Sequence, residues 1–347
     1  AAPRHPLLDS ADYQYRHMSR SSAYKALRAL NAVQNTLAAG WTTIRIAGDA
    51  DIHYAHLELR RAIDEGLWVG PRITGAGHYI SNTGGGGDIN FLSPEQSIIA
   101  DGLVVDGVDA MRKAVREEIK FGSDWIKVLV TGAFMSAADN PKDVHFSAEE
   151  LAVAVEEASR RGVPVMAHAH AAEGIKLAIR AGVRSIEHGT FIDEEGARLA
   201  AQRGVFLVPT LYIGDYYIEK GSEGDWQDKN VALSKRYRDE HFRRVGMAID
   251  AGVKVGVGVD LGGLSYPAAH AVRELAALVE AGLTPMGAIR AATRGNAELL
   301  GWDDRLGTIE PGKLADLVAV PGDPLEDMAR LERVHFVMLG GRVIREP

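Results

Sequence analysis

The chain has 347 residues, of which 46% are hydrophobic and 25% are charged, and its formal net charge is −8. This length and patterning suit one large α/β barrel with a small appended unit and argue against a disordered protein. The acidic balance argues against nucleic-acid binding, since such surfaces are basic and clustered. No apolar run approaches the roughly 18 residues of a membrane span. We therefore expect a soluble protein of the cytoplasm or the periplasm, without nucleic-acid or membrane partners.

Strand-like apolar runs alternate with amphipathic runs as far as residue 300, which predicts βα units around a parallel sheet. Predicted helix 22–39 leads into strand 41–46, and helix 53–65 leads into strand 72–76. A glycine-rich loop at 83–88 follows, and helix 110–121 precedes strand 125–130. Later strands are predicted at 163–167, 184–187, 205–209 and 254–259, and later helices at 148–161, 173–181, 195–203, 232–251, 268–281 and 285–300.

Seven predicted strands are one fewer than a closed (β/α)8 TIM-like barrel requires. The sequence opens on a loop and a helix, so we expect that the first strand is lacking and is supplied by an upstream segment or by another chain. A barrel of seven strands that stayed open would have an unpaired strand edge, which is a liability for a soluble protein.

After residue 300 the pattern changes to turn signals around short strands, predicted at 314–320 and 335–344. This pattern indicates part of a small β-unit beside the barrel. The predicted domains are therefore the barrel, at residues 1–300, and the C-terminal unit, at residues 301–347.

Four side chains of metal-binding type each come just after a short apolar run that is typical of a buried strand: Lys127, His168, His188 and Asp260. One such residue at one strand end is ordinarily a solvated, core or capping residue, but four on four strands favour a shared site. The C-terminal ends of barrel strands meet at one mouth, where such enzymes keep their active sites. Because the chain has no cysteine, a metal ion must be bound by histidine, carboxylate or a modified lysine. The sequence therefore points to a metallohydrolase.

Eight segments resemble, in order, the amidohydrolase superfamily and its imidazolonepropionase-like branch. That branch includes Xaa-Pro dipeptidases, arginine-type carboxypeptidases and ochratoxin-hydrolysing amidases. The last segment is typical of the composite β-sandwich that accompanies the barrel. The segments are AGWTTIRIAG, GPRITGAG, TGGGGD, WIKVLVTGAF, VMAHAH, SIEHGT, GVGVDLG and LGTIEPGKLADLVAV.

The resemblance implies roles for the four strand-end residues. Lys127 matches a lysine that becomes carbamylated and bridges two metal ions, because an ammonium has no lone pair to offer. His168 and His188 match ligands whose neutral imidazoles suit Zn²⁺. Asp260 matches the aspartate that binds the other metal ion and carries the proton from an activated water, as hydroxide attacks, to the departing amine.

The resemblance also implies a metal-dependent amidohydrolase that cleaves an amide C–N bond of a dipeptide or an N-acyl amino acid. His170 and Tyr212 are expected to contact the substrate, and a homo-oligomer is expected. The alternatives are a cyclic-amide hydrolase or deaminase of the same superfamily, and a non-catalytic subunit or large fragment of a two-chain enzyme.

Two departures from the family pattern affect the site. No His-x-His pair precedes His168. One metal position therefore has Lys127, His168 and His188 as ligands, whereas the other has only the bridging Lys127 carbamate and Asp260. One or two Zn²⁺ ions are therefore expected. Gly86 stands where many relatives have a histidine that helps to hold the substrate carboxylate. Of the other histidines, His53 and His56 are interpreted as surface residues.

Overall fold

Parallel strands and helices alternate along most of the chain in the computed structural model, which describes residues 12–48, 51, 53–222, 228–260 and 267–346. The first nine strands are Thr43–Ala47 (β1), Arg72–Ala76 (β2), Tyr79–Ser81 (β3), Leu103–Val104 (β4), Ile126–Leu129 (β5), Val165–Ala169 (β6), Ser185–His188 (β7), Phe206–Val208 (β8) and Lys254–Val255 (β9). The first nine helices are Asp12–Ser19 (α1), Ser22–Ala38 (α2), Ala55–Asp64 (α3), Val108–Lys120 (α4), Ala148–Ser159 (α5), Ala172–Ala181 (α6), Glu194–Arg203 (α7), Leu211–Ser222 (α8) and Asp228–Asp250 (α9).

Short helices and an antiparallel sheet complete the chain. The helices are Ala268–Val272 (3-10), Arg273–Glu280 (α10), Pro285–Arg290 (α11), Ala291–Gly295 (π), Asn296–Leu300 (α12) and Met328–Glu332 (3-10). The strands are Leu317–Ala319 (β10), Phe336–Leu339 (β11) and Arg342–Arg345 (β12). The helix predicted at 285–300 is therefore interrupted by a π turn. Directly after that turn, the side-chain amide of Asn296 bonds both the backbone N–H and the carbonyl of Val257, each at 2.9 Å.

The barrel wall consists of two parallel ladders. Strands β1 and β2 pair with each other, and seven strands pair in the order β4-β3-β5-β6-β7-β8-β9. Only Gly77 and His78 separate β2 from β3, and the N–H of Trp125 donates to the carbonyl of Gly75 at 3.1 Å, which joins the ladders. The predicted α/β barrel is confirmed. Among the described residues no ladder joins β9 to β1, the gap in which the sequence analysis places an eighth strand.

The sequence analysis missed β3 and β4, which lie on either side of the glycine-rich loop. They have three and two residues, too few for the alternation of apolar and polar side chains to be recognised. Strand β3 nevertheless pairs with β5, opposite Lys127. It therefore forms part of the wall that carries the site.

Alternation along the strands determines which side chains face into the barrel. Trp125 and Met166 pack together in the barrel floor with Phe206. Lys127 and His168 lie two residues further along the same strands, so they face the same way. The intervening residues Ile126 and Ala167 pack outward, in the larger core beneath the helices.

The helices begin and end at residues suited to those positions. Ser147 and Glu150 form a reciprocal capping box at the start of α5. Gly182, in the left-handed conformation with φ of 99°, ends α6 just before β7. These local signals explain why the predicted helices 148–161 and 173–181 agree closely with the structure.

The C-terminal sheet has the strand order β10-β11-β12 and is antiparallel throughout. The strand predicted at 335–344 is therefore a hairpin, turning at Gly340 and Gly341. Val334 and Val337 pack on Leu37, so helix α2 contacts this sheet. The domain division at residue 300 stays a prediction. No helix in the described ranges is both long and apolar enough to span a membrane.

Candidate metal centre

Three histidines meet at the C-terminal ends of β6 and β7. His168, His170 and His188 are buried, and one side-chain nitrogen of each lies within 4.8 Å of the others. Their ring centroids are 4.5 to 4.8 Å apart. The structure thus brings His168 and His188 together as expected, and it adds His170 to the same group.

Each of these rings is oriented by a bond from one of its two nitrogens. The bonds are His168 Nε2 to the carbonyl of Gly132 at 3.2 Å, His170 Nδ1 to Thr190 Oγ1 at 2.8 Å, and His188 Nδ1 to Thr210 Oγ1 at 2.7 Å. This leaves Nδ1 of His168 and Nε2 of the other two for a further partner. Metal-binding histidines are ordinarily oriented in this way. The donor set could therefore hold a metal ion.

The electrostatics of the group favour neutral imidazoles. Burial lowers the pKa of His168 to about 3 and lowers the pKa values of His170 and His188 well below 6.5, and the nearby charge of Lys127 adds to each shift. A neutral imidazole has a lone pair to offer a cation. Near neutral pH these imidazoles are already neutral, so they do not have to lose a proton before they bind a metal ion.

Lys127 is buried beside the histidines. Burial lowers the pKa of its amine, while the carboxylates of Glu187 and Asp260 oppose that shift. In turn, Lys127 affects the pKa values of all three histidines and of Asp260. The four predicted residues, Lys127, His168, His188 and Asp260, are therefore near enough for the charge of Lys127 to affect the other three.

Three residues at consecutive strand ends adopt the left-handed backbone conformation. The φ angles are 74° for His188, 52° for Thr210 and 50° for Asp260. Such angles are uncommon outside glycine, and strained residues cluster at functional sites. Asp260 is exposed at the mouth, yet the protein atoms around its carboxyl group remove part of its hydration and raise its pKa, and Lys127 opposes the shift. A carboxyl group with a raised pKa is better suited to exchanging a proton.

The sequence analysis missed the residues that hydrogen-bond the strand carrying His188. Arg45 of β1 donates from Nη2 to both carboxylate oxygens of Glu187 at 2.9 Å and from Nη1 to Ser185 Oγ at 3.0 Å. His241 of α9 donates from Nε2 to the carbonyl of His188 at 2.9 Å. A signal existed for Arg45, because a charge inside the apolar run TIRIA requires a buried partner.

Tyr212, expected near the substrate, lies in the first turn of α8 and is buried. Its hydroxyl accepts from Arg273 Nη1 at 2.9 Å and lies 3.2 Å from Glu219 Oε2. Its substrate role stays a prediction. The surface interpretation of His56 is wrong: His56 is buried, with Nε2 at 2.8 Å from the carbonyl of Ala76, whereas His53 is exposed.

The position of Gly86 leaves little room for a larger side chain. A Cβ atom there would lie 3.2 Å from Ala133 Cβ, 3.2 Å from Ser136 Oγ and 3.4 Å from Asp139 Oδ2. The loop after β5 therefore occupies the space next to this glycine. A Cβ atom at this position would require these neighbouring side chains to shift by a few tenths of an ångström.

The family model of the amidohydrolases matches residues 7–344. The chain belongs to the amidohydrolase family. Ochratoxinase from Aspergillus niger is 33% identical over 350 residues, covering 95% of this chain and 70% of the relative. A Xaa-Pro dipeptidase with bound methionine has a TM-score of 0.88 at 36% identity, covering 94% of this chain and 81% of that one. A prolidase complexed with N-methylphosphonate-L-proline has a TM-score of 0.88 at 32% identity, covering 98% and 84%.

This membership establishes the chemical class of the protein. Like its amidohydrolase relatives, it is a hydrolase that acts on C–N bonds. The barrel of parallel strands with an antiparallel C-terminal sheet is the architecture of its structural neighbours.

Proposed function

We propose that this amidohydrolase is metal-dependent and cleaves the amide bond of a small substrate such as a dipeptide or an N-acyl amino acid. The observation that carries the proposal is the convergence of three histidine nitrogens within 4.8 Å, beside the buried Lys127. The dipeptidase and prolidase among the similar structures support a substrate that contains an amino acid in amide linkage. The expected homo-oligomer stays a prediction.

Lys127, His168 and His188 are the residues that we assign to the first cation, with Lys127 as a carbamate. Its lowered pKa favours the neutral amine, whose lone pair forms a bond to the carbon of CO₂ while a proton leaves to solvent. Asp260, with the carbamate as a bridge, would bind a second cation. Zn²⁺ suits nitrogen and carboxylate donors of this kind. A bound cation acidifies a water and polarises the scissile carbonyl.

Asp260 is assigned the transfer of the proton. It accepts the proton of the attacking water and delivers it to the nitrogen of the departing amine, whose bond to the carbonyl carbon breaks. His170 is assigned to the substrate carbonyl, because one of its ring nitrogens lies within 4.8 Å of a nitrogen of each of the other two histidines and Thr190 fixes the orientation of its ring. Tyr212 is assigned a contact with the substrate at the mouth of the barrel.

The proposal is tested by assaying the purified chain, supplied with zinc and bicarbonate, against dipeptides, N-acyl amino acids and ring amides. Hydrolysis of the linear amides with bound metal supports it. Turnover of ring amides alone would favour a cyclic-amide hydrolase, and release of ammonia would favour a deaminase. Absence of both metal and hydrolysis after reconstitution would favour the non-catalytic or large-fragment alternative.

A further inference from the structure

Glu274, near the start of α10, is fully buried and receives two hydrogen bonds from the start of another helix. The residue is 0% exposed. The backbone N–H of Leu211 donates to its Oε1 at 2.9 Å, and the N–H of Tyr212 donates to its Oε2 at 2.7 Å. These are the first two residues of α8, whose N–H groups have no partner within their own helix. Glu274 therefore caps α8 from a neighbouring helix.

The residue that precedes α8 is of a type that ordinarily provides this cap itself. Thr210 comes directly before Leu211, and a threonine at that position commonly accepts an N–H bond through its own hydroxyl. Here its φ is 52°, outside the extended conformation of such caps, and its Oγ1 lies 2.7 Å from Nδ1 of His188. The hydroxyl of Thr210 thus contacts the histidine, while the carboxyl of Glu274 caps the helix.

The cap requires a carboxyl group, because both of its oxygens accept. Burial raises the pKa of Glu274 to about 8, and the N–H groups of Tyr212 and Leu211 oppose that shift. Burying an ionisable group is costly. A glutamine of the same size would reduce this cost, but it has one acceptor oxygen, and its NH₂ group would face the second N–H. The carboxyl is therefore retained for the two bonds to α8.

Helix α10 holds the start of α8 at a second point. Arg273, next to Glu274, donates from Nη1 to the hydroxyl of Tyr212 at 2.9 Å, and from Nε to Glu332 Oε1 at 2.9 Å. The start of α8 is thus fixed both through its backbone and through a side chain. A β-branched residue stays in the left-handed conformation only where its surroundings hold it there. The fixed start of α8 therefore helps to keep the Thr210 hydroxyl beside His188.

We propose that Glu274 is a positioning residue for the metal centre: by capping α8, it leaves the hydroxyl of Thr210 free to orient His188. The proposal rests on the proposed function, because His188 is one of the residues assigned to the first cation. Without the carboxyl, the hydroxyl of Thr210 turns to the N–H groups of α8, and the ring of His188 loses the bond that fixes it. Loss of such an orienting bond weakens metal binding by about 10- to 100-fold.

The test is a double-variant cycle in which zinc affinity is measured by competition with a chelator. Glu274→Gln and Thr210→Val should each weaken zinc binding by about 10- to 100-fold. Because Glu274 acts through Thr210, the double variant should bind zinc no more weakly than Thr210→Val alone. Losses that multiply in the double variant, or full affinity in Glu274→Gln, overturn the proposal. Should Glu274→Gln not fold, Glu274→Asp takes its place, because its shorter side chain draws the oxygens back from α8.

Ser147→Ala is the matched control, because it removes the cap of a different helix, α5. It should lower the temperature of thermal unfolding and keep the zinc affinity of the unaltered chain. A comparable loss of zinc affinity in Ser147→Ala would show that lost stability alone weakens binding, and it would overturn the positioning role.

A second measurement separates the positioning role from the proposed function. In the metal-free chain with isotopically labelled histidine, NMR gives the chemical shifts of the two ring nitrogens of His188, which His188→Gln assigns. Glu274→Gln should shift both signals in the same direction as Thr210→Val, whether or not the chain binds zinc or hydrolyses an amide. Unchanged signals in Glu274→Gln overturn the positioning role even if zinc binding and amide hydrolysis are observed.

Discussion

Arg45 and Glu187 form an ion pair across the inside of the barrel, from β1 to β7, with both carboxylate oxygens 2.9 Å from Arg45 Nη2. The two side chains are 11% and 7% exposed. The Arg45 guanidinium also stacks on Trp125, at 4.7 Å from the ring. Glu187 immediately precedes His188, and its carboxylate acts on Lys127. The pair therefore connects the barrel floor to the candidate metal centre.

Arg45→Met should lower the free energy of unfolding by about 3 to 5 kcal/mol, because Glu187 would keep a buried charge without its partner. Urea unfolding measures the change. The double variant Arg45→Met, Glu187→Met should recover most of the loss, since neither charge of the pair is then buried without the other. Arg61→Met, which removes an exposed pair with Glu58, should stay within about 0.5 kcal/mol of the unaltered chain. A loss no greater in Arg45→Met than in this control would show that the pair contributes little.

Lys127→Ala should lose bound metal, because the proposed carbamate would have no amine on which to form. Metal analysis after dialysis measures this loss. Added propionate should restore part of both the metal content and the activity, because its carboxylate takes the place of the carbamate. Full metal retention in the variant would remove Lys127 from the ligand set.

Asp260→Asn should lower kcat by about 10²- to 10⁴-fold, because an amide side chain cannot carry the proton to the amine. Circular dichroism and thermal unfolding should show an intact fold. If the variant turns over at a rate close to that of the unaltered chain, Asp260 is not the proton carrier.

His170→Asn should raise KM with little change in kcat if His170 contacts the substrate carbonyl equally in the ground and transition states. Steady-state kinetics and metal analysis of the same preparation separate two roles. Loss of metal without a specific rise in KM would instead make His170 the third nitrogen ligand of the ion.

His241 should make the fold less stable in acid. Burial lowers its pKa to about 4 in the folded state, below the ordinary value of 6.5. As the pH falls from about 6.5 towards 4, the unfolded chain binds a proton that the folded chain does not, so the free energy of unfolding falls by at most ~3 kcal/mol from this group.

The variant His241→Gln, which removes this titration, should show a shallower decline of stability between these two pH values. The buried histidines of the metal group leave part of the decline in place. Chemical denaturation at a series of pH values measures the slope, with the exposed His53→Gln as the control. Identical slopes in the two variants would contradict the prediction.

Local patterns in the sequence were sufficient for the barrel class, seven of the nine parallel strands and the capped helices, and they placed Lys127, His168 and His188 in strands and Asp260 after the last one. These features depend on neighbouring residues: apolar runs, helical periodicity and caps such as Ser147. The alternation of side chains also placed His170 on the same face as His168. Short elements such as β3 and the π turn at Ala291–Gly295 were not predicted, because they are too short to show a periodic pattern of apolar side chains.

Tertiary structure alone decided which distant residues support the site. Arg45 and Glu187 are 142 positions apart, and His241 is 53 positions from His188. Phe134 stacks on His170, and Tyr237 on Phe134, only because the loop after β5 and the helix α9 lie at the same mouth. Ring stacking and buried ion pairs depend on distances of a few ångströms between separate elements, and the order of residues along a chain carries no direct record of those distances.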